Sequence, residues 1–162
     1  MKELLEAIQK RITEKVTTLK YIDEDWGQLD YYSNNPPVQW PCCLIDYGTI
    51  AWKNLGGKQQ QGTATIILYV ANLKLTNTSS KAPTTQRTQA WQIQDIIQQV
   101  HQCVHTHLPT PTSSVLYRKS TARVKRDDGI QQYQIIYECT VAGIYDTGFG
   151  LGGSIEGIGV ER

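Results

Sequence analysis

His101, Cys103, His105 and His107 are residue types that hold transition metals through imidazole nitrogen or thiolate. On a helix turning about 100° per residue, His101 and His105 lie near each other, whereas Cys103 falls roughly 200° around from His101. One ion cannot hold all three. The His101/His105 pair has the i, i+4 spacing of two ligands but no assignable third, so the cluster reads as solvated helix histidines. Gly148-Phe149-Gly150-Leu151-Gly152-Gly153 satisfies the spacing GxGxxG, which cradles a pyrophosphate only when a helix, another parallel strand and a downstream acid follow. Nine residues remain after Gly153, too few for those elements. No lysine stands in the GKS or GKT setting of a phosphate-binding loop, and no Ser/His/Asp or paired-carboxylate set can be assembled. The expectation is a protein that is not an enzyme and has no catalytic, cofactor-binding or metal-binding residues.

The best-defined charged group is on a strand near the C-terminus. By period two, Lys119, Arg123 and Lys125 share one face with Thr121 between them, and Arg118 and Arg126 take the other. Such a row is either a solvated sheet face, a match for a partner's carboxylates, or the lining of a path for nucleic acid.

The elements that must position these residues are legible in the hydrophobic periods. Leu4, Leu5, Ile8, Ile12 and Val16 recur every three or four positions, the period of a half-buried helix. Tyr21 to Pro37 mixes acids with aromatics and ends in Asn34-Asn35-Pro36-Pro37. It reads as a solvated connector whose aromatics cap the core, or as an interaction surface. Val38 to Ile50 and Thr63 to Leu73 read as strands joined through Asn54, Gly56, Gly57 and Gly62. In the second, Ala64, Ile66, Leu68 and Val70 face one way and Thr65, Ile67 and Tyr69 the other, as in a central strand whose second face meets another subunit. A Thr/Ser-rich stretch from Asn72 carries no apolar period and is mostly loop. A second helix is predicted from about Thr85 to Thr106, with Ile93, Ile96, Ile97, Val100 and Val104 on its buried stripe and Pro109 and Pro111 beyond its end. Val115 to Arg126 and Ile130 to Ile144 form a hairpin about Asp127-Asp128-Gly129. Its last strand alternates, with Tyr133, Ile135, Tyr137, Cys139 and Val141 on one face and Ile136 breaking the pattern.

These elements predict an α+β fold: a four-stranded, mainly antiparallel sheet with two helices packed on one face, in the order α-β-β-α-β-β. One domain is expected over residues 1–146, followed by a glycine-rich tail over 147–162. The tail, with Phe149, Leu151, Ile155 and Ile158, reads as a flexible terminus or as a segment that docks on a neighbour.

At 162 residues the chain suits one core. Hydrophobic residues at 40% can build it, while charged residues at 19% and a net charge of +1 leave a polar but nearly uncharged surface. That balance argues against nonspecific nucleic-acid binding, which needs a strong basic excess, and suits close contact with other protein. Cys42, Cys43, Cys103 and Cys139 lie in apolar runs without CxxC spacing, as expected of small hydrophobes in a reducing compartment. The first residues match neither a signal peptide nor a membrane span, so a soluble protein made in the cytoplasm is expected.

With the first helix, the Trp40-Pro41 step into the apolar strand Cys42-Cys43-Leu44-Ile45, the Thr63 to Leu73 strand, the Trp91 to His105 helix and the terminal hairpin in place, residues 1 to 145 resemble the tail-completion, or tail-terminator, family of minor tail proteins of long-tailed bacteriophages. The resemblance implies a structural protein of a phage or prophage. Its protomers would close into a ring, hexameric by the family pattern, that caps the tail tube and joins the tail to the head. It implies assembly in the bacterial host cytoplasm, a place in the virion tail, tail-tube and connector proteins as partners, passive passage of DNA, and no membrane partner. Another neck or tail component and a freestanding protein-binding module are the alternatives. The residues expected at assembly surfaces are Tyr69, Lys119, Arg123, Lys125, Asp127, Asp128, Phe149 and Leu151. The loop around Asn77 to Pro83 and the Asp127 to Gly129 hairpin would meet tube or connector subunits, and the strand faces and C-terminal tail would hold neighbours.

Overall fold

The structure is a computed structural model and describes residues 1–32 and 35–144. The expected tail over 147–162, with Phe149 and Leu151, lies outside the described residues. Helix α1 (Lys2–Lys15) is followed by β1 (Tyr21–Glu24), β2 (Cys42–Tyr47), β3 (Ala51–Gly56), β4 (Gln59–Leu73), α2 (Thr84–Val104), β5 (Tyr117–Val124) and β6 (Ile130–Ile144). The expected α+β class holds, but the sheet has six strands in chain order α-β-β-β-β-α-β-β. Across the sheet the order is β1-β2-β4-β6-β5, with β3 also paired to β4. Only β1 and β2 run parallel; the other pairs are antiparallel.

Packing, rather than local helix chemistry, holds α1 in place. Neither helix has a side-chain N-cap, and the Lys2–Glu6 and Lys10–Glu14 pairs are exposed at 3.7 and 3.9 Å, worth a few tenths of a kcal/mol each. Leu4, Ile8 and Ile12, by contrast, are buried, and each such side chain stabilises by roughly 2 kcal/mol. They join Ile93, Ile96 and Val100 of α2 over one sheet face made by Cys43, Ile45, Ala64, Ile66, Leu68, Val70, Ile135, Tyr137 and Cys139. Both helices therefore cover the same face, as expected. Helix α2 ends at Val104, two residues early, because His105 is extended and Thr106 takes φ of 60° with its N–H donated to the Leu116 carbonyl.

Four strands differ from expectation: β1 and β3 are added, β2 is shorter and β4 is longer. Tyr21–Glu24 does not belong to a connector; it adds parallel to Cys42–Ile45 at the sheet edge. The expected strand over Val38 to Ile50 shortens to Cys42–Tyr47, and Val38 and Trp40 instead pack with Leu29 against Cys42, Leu44 and Ala71 on the second sheet face. Ala51–Gly56, read as part of a turn, is a strand exposed along its whole length. Gln59 to Gly62 continues β4 outward, so that β3, the start of β4 and the end of β6 form a three-stranded arm. The turn itself needs only Gly56, Gly57 and Lys58, all at positive φ.

Gly62 has a different role from the turn glycines. It lies opposite Trp52, and a Cβ added there would come within 2.7 Å of Ile50 Cγ2 and 2.9 Å of Trp52 Cε3. A Cβ at Gly143 would come within 3.1 Å of the same indole. The Trp52 ring thus lies across two strands where both lack side chains, pinning the arm.

Candidate assembly surfaces

Residues 25–32 and 35–41 fold over one end of the second sheet face. Buried Gln28 organises the first segment: its Nε2 donates to the Glu24 carbonyl at 2.7 Å and its Oε1 accepts the Trp26 N–H at 2.9 Å. Gly27 at φ of 91° lets the chain turn beneath Tyr31, whose ring would overlap any Cβ at that position. The segment leaves Trp26, Tyr31 and Tyr32 exposed, with the Trp26 and Tyr32 rings edge to face at 5.7 Å.

Arg126 fastens this segment to the β5–β6 hairpin. Its Nη2 donates to the Leu29 carbonyl and, at 2.7 Å, to Asp128; its Nη1 donates to Asp30 and, at 2.9 Å, to Gln132. The Asp128 carboxylate also accepts the Ile130 N–H at 3.1 Å. Hydrogen bonding to Arg126 holds the Asp128 carboxyl below the usual carboxylate range, and Asp128 in turn holds the guanidinium above its ordinary value. Both hairpin acids are exposed residues, and they differ in their partners: the Asp128 side chain is 18% exposed and held by Arg126, whereas Asp127 lies outside that pairing. Nothing in a period-two reading singled out Arg126; the available signal was an arginine two residues before an aspartate at a turn.

The chain leaves β4 for the Asn77 to Pro83 loop beside the hairpin. Leu73 is opposite Ile130, and the Lys74 N–H donates to the Gly129 carbonyl at 2.9 Å. Within the loop, Asn77 accepts the Ser79 N–H and Ser79 Oγ accepts the Lys81 N–H, which gives it defined local turns. The β3–β4 turn lies at the other end of the 15-residue strand β4.

The cationic row is not on one face. A bulge between Arg118 and Ser120 makes Lys119 an extra residue, which reverses the alternation beyond it. Arg118 and Arg123 are opposite Tyr137 and Tyr133 on the helix-covered face, while Lys119 turns to the second face and pairs with Glu138 at 2.8 Å. Lys125 lies beyond the last paired residue of β5. Tyr69 sits on the second face, half-buried, where its hydroxyl accepts a hydrogen bond from Gln134 at 3.2 Å. Ile136, the break in the β6 pattern, is opposite Ile67 on that same face.

His101 and His105 are more engaged than solvated histidines would be. The rings lie 4.8 Å apart, His101 Nδ1 is 3.4 Å from the Tyr137 hydroxyl, and His105 Nδ1 accepts the Arg118 N–H at 3.2 Å. Burial, then the charge of Arg118, lowers the His101 pKa. Cys103 points away into the core, its thiol 3.3 Å from the Val100 carbonyl. Among the described residues, no three His, Cys, Asp or Glu side chains converge as a metal cage. All four cysteines are free and buried, and burial pushes the Cys42 thiol up to about 12 and the Cys139 thiol up to about 11.

No protein-family model and no curated protein matches the sequence. Among solved structures, the chain is similar to a chain of the virion of a native gene transfer agent particle. The likeness has a TM-score of 0.54 at 7% identity and covers 86% of this chain and 95% of that one. At that identity it speaks to fold: the whole α+β arrangement, not one motif, is shared.

Proposed function

We propose that this chain is a non-catalytic virion component, a tail terminator of a phage or prophage that closes into a ring, caps the tail tube and joins it to the head. The observation that carries this reading is the fold likeness to a gene transfer agent virion chain, which extends over nearly the full length of both chains. The chain enters the Asn77 to Pro83 loop beside the Asp127 to Gly129 hairpin, so in this reading the two share the surface stacked against a tube or connector subunit. Function then comes from geometry, since a closed ring uses two different surfaces of each protomer to hold its two neighbours.

The test is light scattering coupled to size-exclusion chromatography over a wide concentration range, with and without tail-tube protein, and negative-stain imaging of any large species. A discrete ring that joins tubes is expected. A monomer under every condition would return the chain to the reading of a freestanding protein-binding module. Deleting residues 78–82 should leave the protomer folded and weaken joining; undiminished joining would remove the loop from the contact.

A further inference from the structure

The two outer strands of the main sheet carry opposite charge. At one edge, β1 and its continuation present Asp23, Glu24 and Asp25, with Asp46 on β2 beside them. Asp46 and Asp30 add to burial in raising the Asp25 carboxyl above its ordinary value, so this acidity is crowded. An open groove of about 370 Å³ lies between this edge and the start of α1, lined by Lys2, Glu6, Asp23, Glu24, Ile45 and Tyr47. Lys2 spans only to Glu6 there, at 3.7 Å. Four strand spacings away along the ordered path, roughly 19 Å, β5 is exposed from Tyr117 to Arg123. It presents Arg118 and Arg123, followed by Lys125. Among the described residues Arg123 and Lys125 make no ion pair, and neither does the Glu24 carboxylate.

We infer that copies of this chain meet head to tail, the acidic α1–β1 edge and groove of one copy receiving the cationic β5 edge of the next. The inference rests on the ring reading above and names the surfaces that would make the ring. Like charges oppose the symmetric alternatives, β5 on β5 or β1 on β1, whereas the heterologous pairing is complementary and repeats around a ring. Side chains rather than a continuous backbone ladder carry the contact. Each edge already has an outward backbone group occupied: Gln9 Nε2 donates to the Ile22 carbonyl on β1, and the Arg118 N–H of β5 donates to His105.

Charge reversal tests the pairing in the full chain. Glu6→Lys with Glu24→Lys removes the negative excess of the first edge, Arg123→Glu with Lys125→Glu gives the β5 edge an acidic excess, and the four changes together exchange the signs at these four positions. All four positions are exposed, so circular dichroism should report an unchanged fold. At low salt each two-site variant should associate at least about tenfold more weakly than the wild type, the four-site variant should recover part of that loss through the exchanged positions, and added salt should weaken the wild type. Two-site variants that assemble like the wild type would sink the edge pairing and leave the ring reading standing. Loss in both without recovery in the four-site variant would also overturn it, because the two edges would then not face each other. A wild-type chain monomeric up to about 1 mM, the weakest affinity class worth considering, would overturn edge pairing and self-assembly together.

Discussion

At Arg126 a single guanidinium, only 13% exposed, binds the Leu29 carbonyl, Asp30, Asp128 and Gln132. Arg126→Ala leaves those acceptors without their donor and should cost about 2 kcal/mol in urea unfolding, the scale of hydrogen bonds to charged groups. Arg126→Lys should recover little, because one ammonium on a flexible stem cannot reproduce a planar fork. The pH dependence follows from Asp128. Its folded pKa is depressed, so its stabilisation is present above the unfolded value, about 3.9, and is lost as pH falls through the folded value. Acid unfolding followed by circular dichroism should show this loss below about pH 4, and Asp128→Asn should flatten that part of the profile while lowering stability at neutral pH. None of this clamp was legible from strand alternation. Its partners come from three segments separated by up to 97 positions, and a two-residue period says nothing about which of them meet.

Trp52 and Gly62 belong to the scale of the element. Both sit in an arm whose strand β3 is exposed throughout, so the indole lying over Gly62 and Gly143 supplies much of what holds the strands in register. Trp52→Ala should speed amide hydrogen exchange across 51–63 while leaving the helix-covered core protected. Gly62→Ala should destabilise by about 1 to 3 kcal/mol through overpacking, and by clearly less in the Trp52→Ala background, a non-additivity measurable in a double-mutant cycle. Ile66→Ala, at a fully buried position in the other half of the same strand, should cost about 2 to 5 kcal/mol by denaturant unfolding. That contrast explains what could be read from β4. Its inner half alternates because one face is buried, whereas Gln59 to Gly62 lies in an arm with little core to pattern against and resembles a turn.

For the whole molecule, the second sheet face is only partly closed. Leu29, Val38 and Trp40 cover Cys42, Leu44 and Ala71, while Thr65, Ile67, Tyr69, Gln134, Ile136 and Glu138 remain partly accessible beyond them. If that face also meets a neighbour in the proposed assembly, Ile67→Thr should cost the protomer only about 1 kcal/mol and reduce association measured by light scattering. An unaltered association constant would remove this face from the interface and leave the two charged edges as the contact.

Composition and local period alone determined the two amphipathic helices, the buried faces of β4 and β6, the Asp127–Gly129 turn and the use of cysteine as a small hydrophobe. Each of these is written within a few neighbouring residues, because burial on one side of an element imposes its own spacing. The tertiary structure decided the rest. It added β1 in parallel at one edge, inserted the Lys119 bulge that separates Arg123 from the face Lys119 takes, and paired Asp128 with Arg126. Strand order and register depend on pairings between segments distant in the chain. A shift of one residue exchanges the two faces of a strand without changing its composition, so only the folded sheet fixes which charges stand at which edge.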